Sequence, residues 1–245
     1  MLGKSHILVA NLSLACLSQK ERHLLYPRWG GIESGATLSD EYKIMWELES
    51  LDSKLKQLVH RCWIDSKDSK NHGCITRAIN HAEGSISFIN DYLNGDLEGA
   101  YNEVEFLENL GMFIGITSHH IADLCTPVHV GHKIDFKALG YSSLSKFHGK
   151  VERDIFRCQN QSLIKLFKPK IVKLSSKYFW SIAKETHKNF FLDLPSLYNK
   201  KDTDLIIDMS SQILSNAVMH TSNVWHTILH NTKMLEKKWS MQPLI

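Results

Sequence analysis

From residue 110 to 116 the chain reads Leu-Gly-Met-Phe-Ile-Gly-Ile, within a stretch of helical periodicity running from about 102 to 124. A helix that is apolar on every side needs apolar partners all round it. This segment therefore predicts a buried central helix with other helices packed about it. The stretch ends Thr117-Ser118-His119-His120-Ile121-Ala122-Asp123, and Pro127 closes the region. Imidazoles and a carboxylate at the end of such a helix point inward, and their burial is expensive unless they find partners.

The remainder of the chain supplies the surrounding layer. Helical periodicity dominates and strand alternation is nearly absent. Helices are expected at about 5–18 (with Ser5 as cap), 40–63, 75–93, 144–167, 170–189 and 202–237. Pro27, Gly30, Gly31 and Gly35 read as a loop between the first two. A polar loop is expected at 65–73 and a turn at Asn94-Gly95-Asp96. There is no internal repeat and no low-complexity linker. The 245 residues, 43% hydrophobic and 22% charged, are enough for one core without staples. The expected fold is all-α: a single-domain, multi-helix bundle over residues 1–245. The five cysteines are odd in number and lack C-x-x-C spacing, which predicts thiols or a single bridge. Lys4 and the apolar run at 7–17, broken by Asn11 and Ser13, read as a mature amphipathic helix rather than a leader. The matching compartment is cytoplasmic or peripheral to a membrane; the chain is secreted if the run is a leader.

Histidine is the unusual residue, at 14, and it is the commonest metal ligand. His119 and Asp123 are four apart and share a helical face, as do His148 and Glu152. His129 follows the turn between them, with His132 just after. Two such pairs and an intervening histidine suit zinc. Ordinary His–acid contacts at the surface are the alternative that spacing alone leaves open.

Residues 110–129, with His148-Gly-Lys-Val-Glu152, resemble the zinc-dependent phospholipase C family. That family's pattern is H-x-x-x-D, a histidine six residues on, then H-x-x-x-E. Residues 113–119 are also similar to the catalytic domain of glycosylphosphatidylinositol-specific phospholipase D. The fungal zinc-dependent single-strand nucleases share the same trinuclear design. The resemblance extends upstream through Ser5-His6-Ile7-Leu8-Val9, Gly35-Ala36-Thr37-Leu38-Ser39-Asp40 (with Ser39 where proline is common) and His60-Arg61-Cys62-Trp63-Ile64-Asp65. It spans about residues 5–155.

By position, the resemblance implies two to three zinc ions. Asp40, His60, His119 and Asp123 would hold one; His129, His148 and Glu152 a second; and His6 with a bridging Asp123 a third. Met1 would complete the third through its amine and carbonyl, where the family carries Trp. Asp40 would orient or deprotonate a water that the metal acidifies for attack on phosphorus. The implied activity is metal-dependent phosphoric diester hydrolysis of the phospholipase C kind, with a phospholipid as substrate. A zinc nuclease or nucleotidase of the same fold and a non-catalytic zinc-bearing binding domain are the alternatives. Nucleic acid enters only under the first of these, since a net charge of +3 does not itself imply it. No obligate protein partner is evident, and there is neither a G-x-S-x-G nor a P-loop.

His120 faces away from His119 and reads as core or as support for the ligands. His132 is an alternative to His129, and His72 to His60. His226 and His230 form another i, i+4 pair, but with no carboxylate near them in sequence they read as surface or core. Residues 163–180 interleave five lysines with apolar and aromatic residues. That pattern fits a solvated lysine face, or peripheral contact with an anionic membrane.

Overall fold

Helix α5 (Glu103–Leu124) is the axis around which the molecule is built. The computed structural model describes residues 3–41, 61–67, 72–158 and 166–237. Along the chain α5 is preceded by α1 (Gly3–Cys16), α2 (Gln19–Leu25), α3 (Trp29–Glu41) and α4 (Gly73–Asn94). It is followed by a helical turn α6 (Pro127–Val130), then α7 (Leu144–Arg157), α8 (Ser176–Thr186), α9 (Leu194–Lys200) and α10 (Thr203–Asn231). No strand occurs among the described residues. The expected all-helical bundle is the fold observed.

The start of α5 is fixed by a reciprocal cap. The Asn102 side chain accepts from the Glu105 N–H at 3.0 Å, and the Glu105 carboxylate accepts from the Asn102 N–H at 3.0 Å. From there the helix sinks inward, and every residue from 114 to 131 is buried. Trp225 of α10, itself fully buried, donates its indole N–H to the Ile114 carbonyl at 3.2 Å. Ser13 of α1 donates to the Val218 carbonyl of α10 at 3.3 Å, so the first helix is seated on the last.

The most extensive packing on α5 comes from α3, and here the sequence expectation needs correcting. The glycine-rich segment is not a loop: Gly30, Gly31 and Gly35 lie inside α3. A Cβ at Gly35 would stand 2.1 Å from the Met112 carbonyl oxygen, and one at Gly115 2.2 Å from that of Ile32. Glycine lets the two backbones touch, and the packing recovers what glycine costs in helix propensity. At the end of α4 the expected turn is present, with Gly95 at φ +87° closing the helix in the left-handed region.

Four other expected helices differ. Of the one expected at 40–63, residues 61–63 are non-helical and 42–60 lie outside the described residues. Helix α7 stops at Arg157, and 166–174 is an irregular strap rather than a helix. Pro169 lacks an N–H and cannot sit in a helix interior. The strap's own N–H groups are satisfied elsewhere: Phe167 donates to Cys16 Sγ (3.4 Å), Lys170 to Asn223 Oδ1 (2.7 Å) and Val172 to Thr227 Oγ1 (3.0 Å). The lysine-rich segment is therefore no amphipathic helix until Ser176. The last helix ends at Asn231, short of 237. All five cysteines are free thiols. Among the described residues no helix is long and apolar enough to cross a membrane.

Candidate metal centre

Asp123, in the last turn of α5, is fully buried and is the hub of the site. Its Oδ2 lies 3.3 Å from His119 Nε2, one helical turn earlier. Its Oδ1 lies 3.6 Å from His6 Nε2 of α1 and 3.4 Å from His129 Nε2 of α6. His129 Nε2 is in turn 3.0 Å from His148 Nε2 and 3.4 Å from Glu152 Oε1, both on α7. His148 Nε2 stands 2.9 Å from the same Glu152 oxygen. Four elements thus deliver six of the sequence-predicted residues to one interior pocket. They fall into two adjoining sets, His6–His119–Asp123 and His129–His148–Glu152, within each of which the candidate ligand atoms are all within 4.8 Å of one another.

Proton accounting shows that a cation suits this pocket. His119 Nδ1 is 2.8 Å from the Ala36 carbonyl oxygen, which has no proton to give, so Nδ1 donates. In the neutral ring Nε2 then carries a lone pair, aimed at a carboxylate oxygen that also has only lone pairs. A second proton would put a charge in the interior against His6, whose ring stacks on that of His119 at 3.7 Å. Among the described residues neither ring nitrogen of His6, itself fully buried, has a hydrogen-bond partner. A divalent ion answers these lone pairs together. The Ala36 carbonyl does what a partner behind a metal-bound histidine does, fixing its tautomer and ring orientation.

Electrostatics prepares the same state. Burial pushes His129 down to about 4, and burial reinforced by the neighbouring His119 holds His6 well below the ordinary histidine range. Burial alone would raise Asp123, but His129 and His119 facing it hold it well below the carboxylate range. Glu152 is likewise lowered, with burial outweighed by hydrogen bonds from His129 and His148. Neutral imidazoles and ionised carboxylates are the forms that bind metal. Among the six side chains His148 is the most exposed, at 31%.

Three predicted residues are not among these six. Met1 and His60 lie outside the described residues, and Asp40 lies in the last turn of α3 with its side chain outside the described part. Asp40 is one helical turn beyond Ala36, whose carbonyl holds His119. The segment after His60 is laced along the α6 region: the Cys62 N–H donates to the His129 carbonyl and the Ile64 N–H to that of Val130, each at 2.8 Å. His132, the alternative in the turn, is away from the cluster. Its ring stacks on Trp63 at 4.5 Å and its Nδ1 donates to Asp65 Oδ1 at 2.7 Å. His72, the alternative to His60, faces the Trp63 carbonyl at 3.2 Å. His120 is buried, 4.0 Å from Cys74 Sγ and stacked on His81.

Sequence reasoning missed the Ala36 carbonyl and the Asp65–His132 pair. The first is a backbone atom 83 residues from its partner, and the second joins groups 67 apart, so neither leaves a local signature.

No family model matches the chain, and no curated protein sequence does so either. Among solved structures the chain is similar to the alpha-toxin of Clostridium perfringens isolated from an avian strain, with a TM-score of 0.59 at 15% identity. The match covers 97% of this chain and 65% of that one, so the chain spans about two thirds of the toxin's length. A likeness at this identity is one of fold alone, and that fold is the all-helical bundle expected from the sequence.

Proposed function

We propose that this chain is a zinc-dependent phosphodiesterase, hydrolysing a phospholipid in the manner of a phospholipase C. The observation that carries the reading is the Asp123 pocket: His119, locked by Ala36 into the tautomer that presents Nε2, faces a buried carboxylate shared with His6 and His129. The set is nitrogen and oxygen only, with no thiolate among the six, which suits zinc. The His129–His148–Glu152 set offers three ligands, leaving a coordination position free as catalytic sites do.

In this reading His6, His119 and Asp123, with Asp40, His60 and Met1 as further proposed ligands, hold up to two ions. His129, His148 and Glu152 hold another. Zinc so held supplies Lewis acidity toward phosphoryl oxygens and lowers the pKa of water to about 7. The chain's own residues do the rest. Burial around Asp123 keeps water out and His129 neutral. The α7 pair, at the exposed edge, faces the incoming phosphodiester. Asp40 is proposed to orient the attacking water. Residues 1–245 act as one domain in this proposal.

Metal analysis of the purified protein alongside His119→Ala tests it. We expect about two to three zinc per chain in the native protein, fewer in the variant, and loss of phosphocholine-ester hydrolysis. Cleavage of single-stranded DNA in place of the ester would move the substrate to nucleic acid. Zinc-loaded protein that hydrolyses neither is a binding domain, and native protein that retains no zinc ends the proposal.

A further inference from the structure

We propose that Glu21, His226 and His230 form a second divalent-metal site that shares no residue with the Asp123 pocket and staples α2 to α10. In sequence the two histidines are a bare i, i+4 pair. The fold brings them a carboxylate from 205 residues away. Glu21 is 1% exposed, and its carboxylate is set before any histidine reaches it: Oε2 accepts the Ser18 N–H at 2.8 Å in the box that caps α2. This leaves Oε1 for α10. His226 Nδ1 lies 2.6 Å from it and His230 Nε2 3.8 Å from it, with the two rings 4.1 Å apart.

His226 alone meets the hydrogen-bonding need of that oxygen. His230 is too far for a hydrogen bond, yet it leans toward the same atom. Its distance suits two donors on one ion, since zinc bonds of ~2.0–2.1 Å at tetrahedral angles put ligand atoms about 3.4 Å apart. The three ligand atoms all lie within 4.8 Å of one another. His230 is 41% exposed and has room to swing inward, while His226 is 19% exposed. Two imidazoles and one carboxylate suit zinc or another late first-row ion rather than calcium or magnesium. The partial exposure gives a site that exchanges with solution and keeps water on the ion. Its effect is to tie the short capped helix after α1 to the last helix of the bundle.

Equilibrium dialysis against zinc, comparing native protein with His230→Ala, tests the assignment. Among the described residues His230 makes no hydrogen bond to be lost, and it lies outside the Asp123 pocket. The variant should bind one fewer zinc per chain, hydrolyse substrate at the native rate, and lose the rise in Tm that the weakest-bound zinc produces in native protein. Cobalt in place of zinc should show one tetrahedral absorption component fewer. Equal zinc stoichiometry in the two proteins overturns the proposal and leaves a His226–Glu21 ion pair. If His230→Ala does not fold, His230→Asn serves with the same expected difference. The comparison is a difference between two proteins, so it holds whether or not the Asp123 pocket fills.

Discussion

At the scale of single residues, what sequence reveals is chemistry without address. The i, i+4 pairs His119–Asp123 and His148–Glu152 are legible because a helix dictates which side chains share a face. Their convergence rests on contacts that no local pattern announces, such as Ala36 to His119. The same holds for histidines outside the pocket. His220 is unremarkable in sequence, but in the fold it accepts the Tyr178 hydroxyl at 3.0 Å, and burial holds it down to about 4. Unfolded, it would titrate near 6.5. As pH falls from 6.5 to 4 the unfolded chain takes up a proton that the folded chain refuses, so stability drops across that window. The loss attributable to this ring should approach about 3 kcal/mol. Urea titrations at several pH values, with His220→Gln beside native protein, check it. The variant keeps an acceptor for Tyr178, and its pH slope should be shallower; parallel curves would show that the ring does not titrate as described.

At the scale of elements, periodicity identified the buried central helix and its end, where apolar pattern and packing agree. It failed where the same residue type carries two meanings. Glycines at 30, 31 and 35 break helices in isolation, and here those at 31 and 35 let α3 press against α5, an override by tertiary contact that only the partner helix makes visible. Position should therefore decide what a methyl group does. Gly115→Ala sets a Cβ against the Ile32 carbonyl, a backbone atom with no rotamer to yield, and should cost about 1–3 kcal/mol or more. It should also weaken zinc retention, because separating α3 from α5 draws Ala36 away from His119. Gly84→Ala, in the interior of α4 with nothing within 4 Å, should instead raise stability by about 0.5–1 kcal/mol. Thermal melts of the two variants, with zinc content for the first, read both outcomes. Equal effects would mean that the close approach is not what those glycines serve.

At the scale of the whole molecule, the pocket draws on α1, α5, α6 and α7, so its occupancy and the integrity of the bundle are linked. One ion at a thousand times its Kd adds about 4 kcal/mol, and a chain of this size gains about 2–4 °C per kcal/mol. Chelation should thus lower Tm by about 8–16 °C per site emptied, and restored zinc should recover it. An unchanged Tm after verified chelation would separate the pocket from the stability of the bundle. The seating of α1 on α10 through Ser13 and Val218 carries a further consequence for how such a protein is made. A ribosome releases His6 almost at once, yet the berth that aligns its helix is completed only when residues near 218 have emerged. Nascent chains halted before that point carry all six converging side chains and still lack the surface that seats the first of them. Assembly of the pocket is thereby deferred until α10 has been made.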